Sequence, residues 1–328
     1  MLEKALGPGI DLVEGREGSA SKAWFIQGML WLIAAATLTF EGLWLKHDAL
    51  ALHSLSAWGY DPTAYSLLYA SNYAALYGGI GMLLIGSSLH IMPRLAGTQL
   101  ASERNATLVS FLWTLSVLVL VVAAHDSEIL GINVFLVGSG MHILAFLAIL
   151  MNLLLTVSER QTALPIPGWL IILGILADPV SAVTVIITGG ISTGAGQWLL
   201  THMVGGTFFF ATAAGVALYC SSSASGNTLW SRSLGAATLV GAMATINPMG
   251  DTNGWMAADM LGASREVFLV TSTDSIALAF LMALGIIPVM ALAANVLMTL
   301  RGGDAFVENP DSAGIAELNL GASLVLPL

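Results

Sequence analysis

The chain has 328 residues, of which 56% are hydrophobic and only 9% charged, and its net charge is −10 at pH 7. Soluble domains carry about 25% charged residues, so this composition, with a mean hydropathy of +0.84, excludes an ordinary soluble fold and indicates a polytopic membrane protein. The acidic balance also argues against nucleic acid as a partner, and the lipid bilayer is the expected surrounding.

The predicted elements form an all-α membrane bundle of about eight transmembrane helices. Each apolar stretch is long enough, or nearly so, to cross a hydrocarbon core of about 30 Å. The bundle, residues 22–301, follows a cytoplasmic N-terminal segment, residues 1–21, and precedes a polar C-terminal tail, residues 302–328. In chain order the predicted spans are 22–45, 66–92, 107–125, 131–155, 168–189, 195–220, 231–249 and 273–300.

Basic residues predict the orientation of the bundle. With the N-terminus in the cytoplasm, only Lys46 and Arg265 fall outside, and this asymmetry supports an even number of spans with a cytoplasmic C-terminus. Acidic residues before the first apolar run argue against a cleaved signal peptide. The basic residues placed in the cytoplasm are Lys4, Arg16, Lys22, Arg94, Arg104, Arg160, Arg232 and Arg301.

Three ionisable side chains fall well inside predicted spans, where they are costly unless the protein uses them. His142 and His202 could each bind a cofactor, or form only a polar contact within the bundle. The single cysteine, Cys220, excludes a cysteine metal cage, so metal chemistry would use histidine and carboxylate. Asp178 could donate to a carbonyl that Pro179 leaves free, or serve a proton or ion path.

A run in and after the sixth predicted span resembles the catalytic subunit of haem–copper oxidases, in particular C-type cytochrome c oxidases and nitric oxide reductases. Gln197 and Trp198 precede His202 at the spacing that this family shows before a copper-ligand histidine. The similar residues that follow are Gly206, Phe208, Gly215, Tyr219, Ser231 and Arg232 to Leu234. Two further spans also resemble the family. The second span contributes Tyr77-Gly78-Gly79 and Ile91-Met92-Pro93-Arg94, and the eighth contributes Pro288, Asn295, Leu297, Met298, Thr299, Leu300 and Gly302.

The resemblance implies that residues 22–301 correspond to the family's first eight spans, in a respiratory complex of a prokaryotic cell membrane with other membrane subunits as partners. It implies His202 as a metal ligand. The family's other ligands are missing here. No imidazole lies near Ser71 to Tyr73, Met249-Gly250 stand where a histidine pair is expected, no tyrosine occurs between Arg232 and Met249, and no apolar stretch resembles spans nine to twelve.

The sequence leaves three functional hypotheses open. The first is a respiratory subunit resembling cytochrome c oxidase subunit I that does not reduce oxygen by itself, because copper held by one imidazole is a poor site and copper is not expected. The second is a membrane cytochrome that binds haem b through His142 and His202. The third belongs to another class: a proton- or ion-coupled transporter that uses Asp178.

Overall fold

The computed structural model describes residues 15–187, 202–243 and 285–301, with the backbone alone described at 58, 181–187, 202–206 and 243. These residues are mostly helical, which confirms the predicted all-α class. A small antiparallel hairpin, β1 (Glu128–Ile129) with β2 (Ile132–Asn133), joins two of the helices. The chain divides into two compact units, unit 1 (Met1–Thr162) and unit 2 (Ala163–Leu328).

Unit 1 contains four long helices, each apolar enough to cross a membrane. Their bounds lie within a few residues of the first four predicted spans. A short 3-10 helix, His53–Trp58, follows the first of them. The helices are α1 (Ser19–His47), α2 (Ala64–Ala96), α3 (Glu103–Ala123) and α4 (Val134–Ser158).

Unit 2 has four helices within its described residues: α5 (Ile166–Ile187), α6 (His202–Ala211 continued by Thr212–Ser225), α7 (Arg232–Met243) and α8 (Ile286–Arg301). Of these, the Thr207–Ser225 part of α6 is long enough to cross a membrane, whereas Ile166–Val180 and Ile286–Arg301 are apolar but shorter. The described residues therefore contain five candidate membrane spans. The total of eight, and the side on which the ends lie, stay predictions.

Both units contain a π-helical segment in their second helix. The segment of α2 is Ala74–Gly81, and that of α6 is His202–Ala211. Such segments are rare and occur frequently at functional sites. In α2 the glycines let α1 approach closely, because a Cβ on Gly78 would lie 2.5 Å from the Trp31 ring and one on Gly79 would collide with Leu32.

One carboxylate lies at the N-terminal ends of two helices of unit 1 and caps one of them. Glu103 is the first residue of α3, and its side chain also accepts the backbone N–H groups of Gly18 and Ala20 at the start of α1, at 2.8 and 2.9 Å. A negative charge at a helix N-terminus satisfies free N–H groups and opposes the helix dipole. Helices α1 and α3 therefore begin on the same side of the unit.

The outward surface of unit 1 is apolar, whereas its interior contains polar groups. Ile33, Phe40 and Leu136 are 63%, 64% and 67% exposed, while Ser116 and His142 are buried. Lipid solvates apolar side chains and leaves polar groups to find partners inside the protein, so this distribution is typical of a membrane bundle. It agrees with the integral membrane location predicted from composition.

The first two helices of each unit meet through the same set of contacts. In both units a glycine of the first helix lies against a backbone carbonyl of the second, and a later glycine of the second helix lies against the start of the first. The contacts correspond one to one, at a constant difference in residue number within each helix. Gly28 contacts Gly79 O and Leu83 in unit 1, and its counterpart Gly174 contacts Phe208 O and Thr212 in unit 2. Likewise Gly86 contacts Ser21 O and Phe25 N, and its counterpart Gly215 contacts Pro167 O and Ile171 N.

The fourth helix of unit 1 holds the loop before the third. The Asn152 side chain binds both backbone groups of Ser102, accepting its N–H at 3.3 Å and donating to its C=O at 2.8 Å. The Thr156 hydroxyl accepts the N–H of Ala101 at 3.0 Å. Asn152 and Thr156 are 2% and 0% exposed. We call these contacts clamp 1.

Unit 2 repeats this arrangement, which we call clamp 2. The Asn295 side chain accepts the N–H of Ser231 at 3.0 Å and donates to its C=O at 2.9 Å. The Thr299 hydroxyl accepts the N–H of Trp230 at 3.0 Å. As in unit 1, the clamped serine caps the third helix through its own hydroxyl. The described chain is therefore built from two copies of one four-helix arrangement.

Candidate functional site

The interior of unit 1 contains His142 surrounded by three aromatic rings. His142 lies about two turns into α4 and is 5% exposed. The ring centroids of Tyr77, Trp113 and Phe146 lie 4.7, 4.1 and 5.2 Å from the centroid of its imidazole. Tyr77 belongs to the π segment of α2 and Trp113 to α3. We call these four residues the histidine cluster.

Trp113 ties the cluster to the π segment. Its indole is fully buried, and its Nε1–H donates to the Tyr77 carbonyl at 2.9 Å. Trp24 of α1 packs against its edge, with ring centroids 5.2 Å apart. Gly81 leaves room for the indole, since a Cβ there would lie 3.5 Å from the ring. The Trp113 side chain is thus held in place by contacts with α1 and α2.

Ser116 determines which nitrogen of His142 carries the proton. Its hydroxyl oxygen lies 2.8 Å from His142 Nδ1 and 2.7 Å from the Trp113 carbonyl, and it is fully buried. A carbonyl can only accept, so when the single hydroxyl proton is donated to Trp113 the hydroxyl oxygen accepts from the imidazole. In that arrangement His142 is protonated at Nδ1 and has its lone pair at Nε2, which is the tautomer that we assign to it.

His142 Nε2 is buried and has no hydrogen-bond partner among the described residues. A buried polar atom left unpaired costs about 1–3 kcal/mol, so most are satisfied. Histidines that bind metals show the same pattern, with one nitrogen donating to a fixed acceptor and the other free to bind. The chemistry available to Nε2 is to bind a metal such as haem iron, or to accept a hydrogen bond from a ligand.

The other two predicted site residues belong to unit 2. Asp178 is buried within α5, 7% exposed. His202 begins the π segment of α6, and its side chain, with Gln197 and Trp198 before it, lies outside the described residues. His142 belongs to unit 1. The hypothesis that His142 and His202 share one cofactor therefore stays a prediction.

Histidine and carboxylate do not gather elsewhere into an evident metal centre. Within residues 15–187, 202–243 and 285–301, no three side chains of histidine, cysteine, aspartate or glutamate converge in a way that could hold a metal ion. The histidine cluster therefore offers one imidazole as ligand from the part of unit 1 that is described. This finding does not test the prediction that copper is not a cofactor.

Sequence analysis missed most of the cluster, including Ser116, Trp113 and Phe146. Trp113 and Ser116 are three residues apart, and His142 and Phe146 are four apart, so each pair shares one face of its helix. That spacing was a usable signal. It does not show that the two faces meet, because the pairing of α3 with α4 depends on their packing.

Several residues that carry the oxidase resemblance have a structural role. Ser231, Asn295 and Thr299 form clamp 2, and Gly78 and Gly79 let α1 pack on the π segment. These roles explain their pattern without a cofactor, so the resemblance to haem–copper oxidases is not by itself evidence for a metal site. Among known proteins, no family model and no curated protein matches this chain.

Proposed function

We propose that this chain is an integral membrane subunit of a respiratory electron-transfer assembly, similar in fold to haem–copper oxidase subunit I, and that unit 1 binds haem b through His142. The observation that carries the proposal is the buried, unpartnered Nε2 of His142. When bound, haem b would supply one-electron redox chemistry.

The neighbours of His142 would hold its ring in place for such a ligand. Ser116, itself hydrogen-bonded to the Trp113 carbonyl, fixes the tautomer and the rotation of the imidazole. Trp113, Tyr77 and Phe146 pack against the ring and exclude water from it. A single fixed lone pair in apolar surroundings suits the iron of a porphyrin better than a hydrated ion.

The comparison of the two units favours a ligand over packing as the reason for the cluster. Unit 2 has the same helix contacts and clamp, yet the positions that correspond to Tyr77, Trp113, His142 and Phe146 are Gly206, Ala242, Gly285 and Val289. The arrangement therefore folds without an imidazole or an aromatic ring at these places. A costly buried histidine that the fold does not need is explained by its use.

We propose further that the chain does not reduce oxygen by itself, and that copper is not its cofactor. Oxygen reduction in this family needs copper held by several nitrogens opposite a haem iron, and the sequence lacks the histidine pair that would accompany His202. The proposed role is electron transfer with partner membrane subunits, whose co-purification would support the assembly.

An absorption spectrum of the full chain, purified from membranes of haem-supplied cells, tests the haem. We expect a Soret band that is lost in His142→Leu, a substitution that keeps the volume and apolar contacts of the buried ring. His90→Leu is the matched control, because His90 is an exposed imidazole at the other end of unit 1. A haem extraction assay gives the stoichiometry.

Two outcomes would overturn the proposal: a colourless wild-type protein that is folded, or a Soret band retained in full by His142→Leu. Loss of the band in His90→Leu as well would mean that the substitutions act through folding. Thermal unfolding of each variant in detergent separates this case from loss of a ligand.

A further inference from the structure

A second polar site lies in unit 2, on the other side of its π segment. The shared contacts place Asp178 where Leu32 stands in unit 1, since Gly174 corresponds to Gly28 and each lies four residues earlier. Leu32 packs on Gly79 of the π segment, and the counterpart of Gly79 is Phe208. The buried Asp178 therefore lies against the π segment of α6.

Two buried threonines belong to α6, the helix that packs against α5. Thr212 is fully buried and its hydroxyl contacts Gly174, one turn or about 6 Å before Asp178 along α5. Within the described part of the chain the Thr212 hydroxyl has no hydrogen-bond partner. Thr207, 3% exposed, donates its hydroxyl to the Ala242 carbonyl at 3.4 Å.

The π segment affects where these threonines lie. Residues five apart are about 140° from each other around an α-helix, and the i→i+5 hydrogen bonds of a π-helix reduce that angle. Thr207 lies within the π segment, and Thr212, five residues later, directly follows it. The Thr207 hydroxyl binds Ala242 of α7, whereas the Thr212 hydroxyl lies against Gly174 of α5, the helix that carries Asp178.

The corresponding positions in unit 1 are apolar. The counterparts of Asp178 and Thr212 are Leu32 and Leu83, whose apolar atoms contact the neighbouring helix. An aspartate at the centre of a membrane helix costs about 2.5–3.5 kcal/mol on insertion scales. A carboxyl group placed where leucine suffices indicates a function.

We propose that Asp178, with the Thr212 hydroxyl about one turn away, forms a proton-exchanging site within the membrane. The carboxylate takes up one proton to give the neutral carboxylic acid and releases it again, and the free Thr212 hydroxyl is the donor available to the charged form. This site goes beyond the haem proposal and is independent of His142. It gives unit 2 a proton-transfer role of its own.

Other titratable groups on the helices packed against α5 lie at a distance along the chain. Tyr219 and Cys220 of α6 lie two turns beyond Thr212, towards the end where α5 begins, and Arg232 starts α7. On the Asp178 side, His202 begins the π segment about 9 Å before Phe208. His202 is therefore the group whose titration the experiment must separate from that of Asp178.

Labelling with the hydrophobic reagent dicyclohexylcarbodiimide tests the proposal on the purified full chain. The reagent adds to a protonated carboxyl group in apolar surroundings and leaves a stable acylurea, which peptide mass spectrometry locates. We expect an adduct on Asp178 whose yield falls as pH rises from about 5 to about 9. Replacing sodium by choline should leave the yield unchanged. Asp178→Asn should lose this adduct, while His202→Gln should keep its pH dependence.

Thr212→Val tests the hydroxyl. Without this donor the charged Asp178 carboxylate is less stable, so Asp178 should hold its proton about tenfold more tightly. The midpoint of labelling should therefore move upward by about one pH unit. Thr107→Val is the matched control, because Thr107 in unit 1 is also a buried hydroxyl without a partner among the described residues. A yield independent of pH, protection by sodium, or equal shifts in both valine variants would overturn the proposal.

Discussion

Each unit combines a framework that the two share with a polar site that they do not. The framework consists of the glycine contacts between the first two helices and the clamp between the fourth helix and the loop before the third. The polar site of unit 1 lies where the π segment meets α3 and α4. That of unit 2 lies where the π segment meets α5. The polar groups of one unit are replaced by small or apolar residues in the other.

The replacements show how one framework accepts two interiors. Trp31 packs over Gly78 in unit 1, and the corresponding pair in unit 2 is Ala177 with Thr207, so the larger residue of the pair has changed helix. The framework accounts for folding, and the two interiors hold the haem and proton sites proposed above.

The largest expected effect comes from breaking the clamps. Asn152→Leu should lower the free energy of unfolding by about 1–3 kcal/mol, because it leaves the N–H of Ser102 without a partner, while the C=O of Ser102 keeps only the hydrogen bond from the Ala106 N–H. Asn295→Leu should cost the same amount at Ser231 if the clamps are equivalent. Unfolding of the purified protein in mixed micelles, followed by circular dichroism, measures both.

Asn105→Ala is the control for these variants, since its side chain is exposed and should change stability by less than about 0.5 kcal/mol. The comparison between the units would fail if one clamp variant were strongly destabilised and the other behaved like the control. In that case the shared hydrogen bonds would not have the same role.

A smaller effect is expected from Ser116→Ala, which tests what is particular to unit 1. Without the acceptor at 2.8 Å, His142 loses control of its tautomer, and haem affinity should fall about 10- to 100-fold while the fold survives. Ser88→Ala is matched, since Ser88 is a fully buried serine bonded to its own helix. Nitrogen NMR shifts of the imidazole should change in Ser116→Ala alone; unchanged shifts would contradict the assigned role.

Much of the fold could be predicted from the sequence, because a lipid bilayer requires long apolar helices. Composition predicted the all-α membrane bundle, and hydropathy placed α1 to α4 within a few residues. The duplication was also visible but was missed. Gly97-x-x-Leu-x-Ser102 recurs as Gly226 to Ser231, and Asn152-x-x-x-Thr156 recurs as Asn295 to Thr299. Such short matches gain meaning only when the hydrogen bonds that join them are seen.

The sites were only partly predictable, for a physical reason. The cost of burying charge in lipid singled out His142 and Asp178 as candidate site residues, and both are buried. What surrounds them depends on which helix faces meet, and on the π segments, which shift every later residue around the helix axis. Hydropathy contains no signal for that shift. Ser116 and Thr212 therefore could not be assigned to either site before the packing was known.

The smallest expected effect concerns the hydrogen bond between Tyr60 and Glu41, which lies outside the framework. Burial, together with the Tyr60 hydroxyl's hydrogen bond to Glu41 at 3.0 Å, raises the pKa of Tyr60 from 10.0 to about 12. The folded state thus holds this proton more tightly than the unfolded state. The contribution of the Tyr60 hydroxyl to the free energy of unfolding is therefore complete below about pH 10 and is lost as pH rises through about 12. Ile187 stands in place of Glu41 in unit 2, so the effect belongs to unit 1 alone. Thermal unfolding across this range should fall less steeply in Tyr60→Phe than in wild type or in Tyr65→Phe, an exposed control; parallel curves would show that the pair contributes nothing to stability.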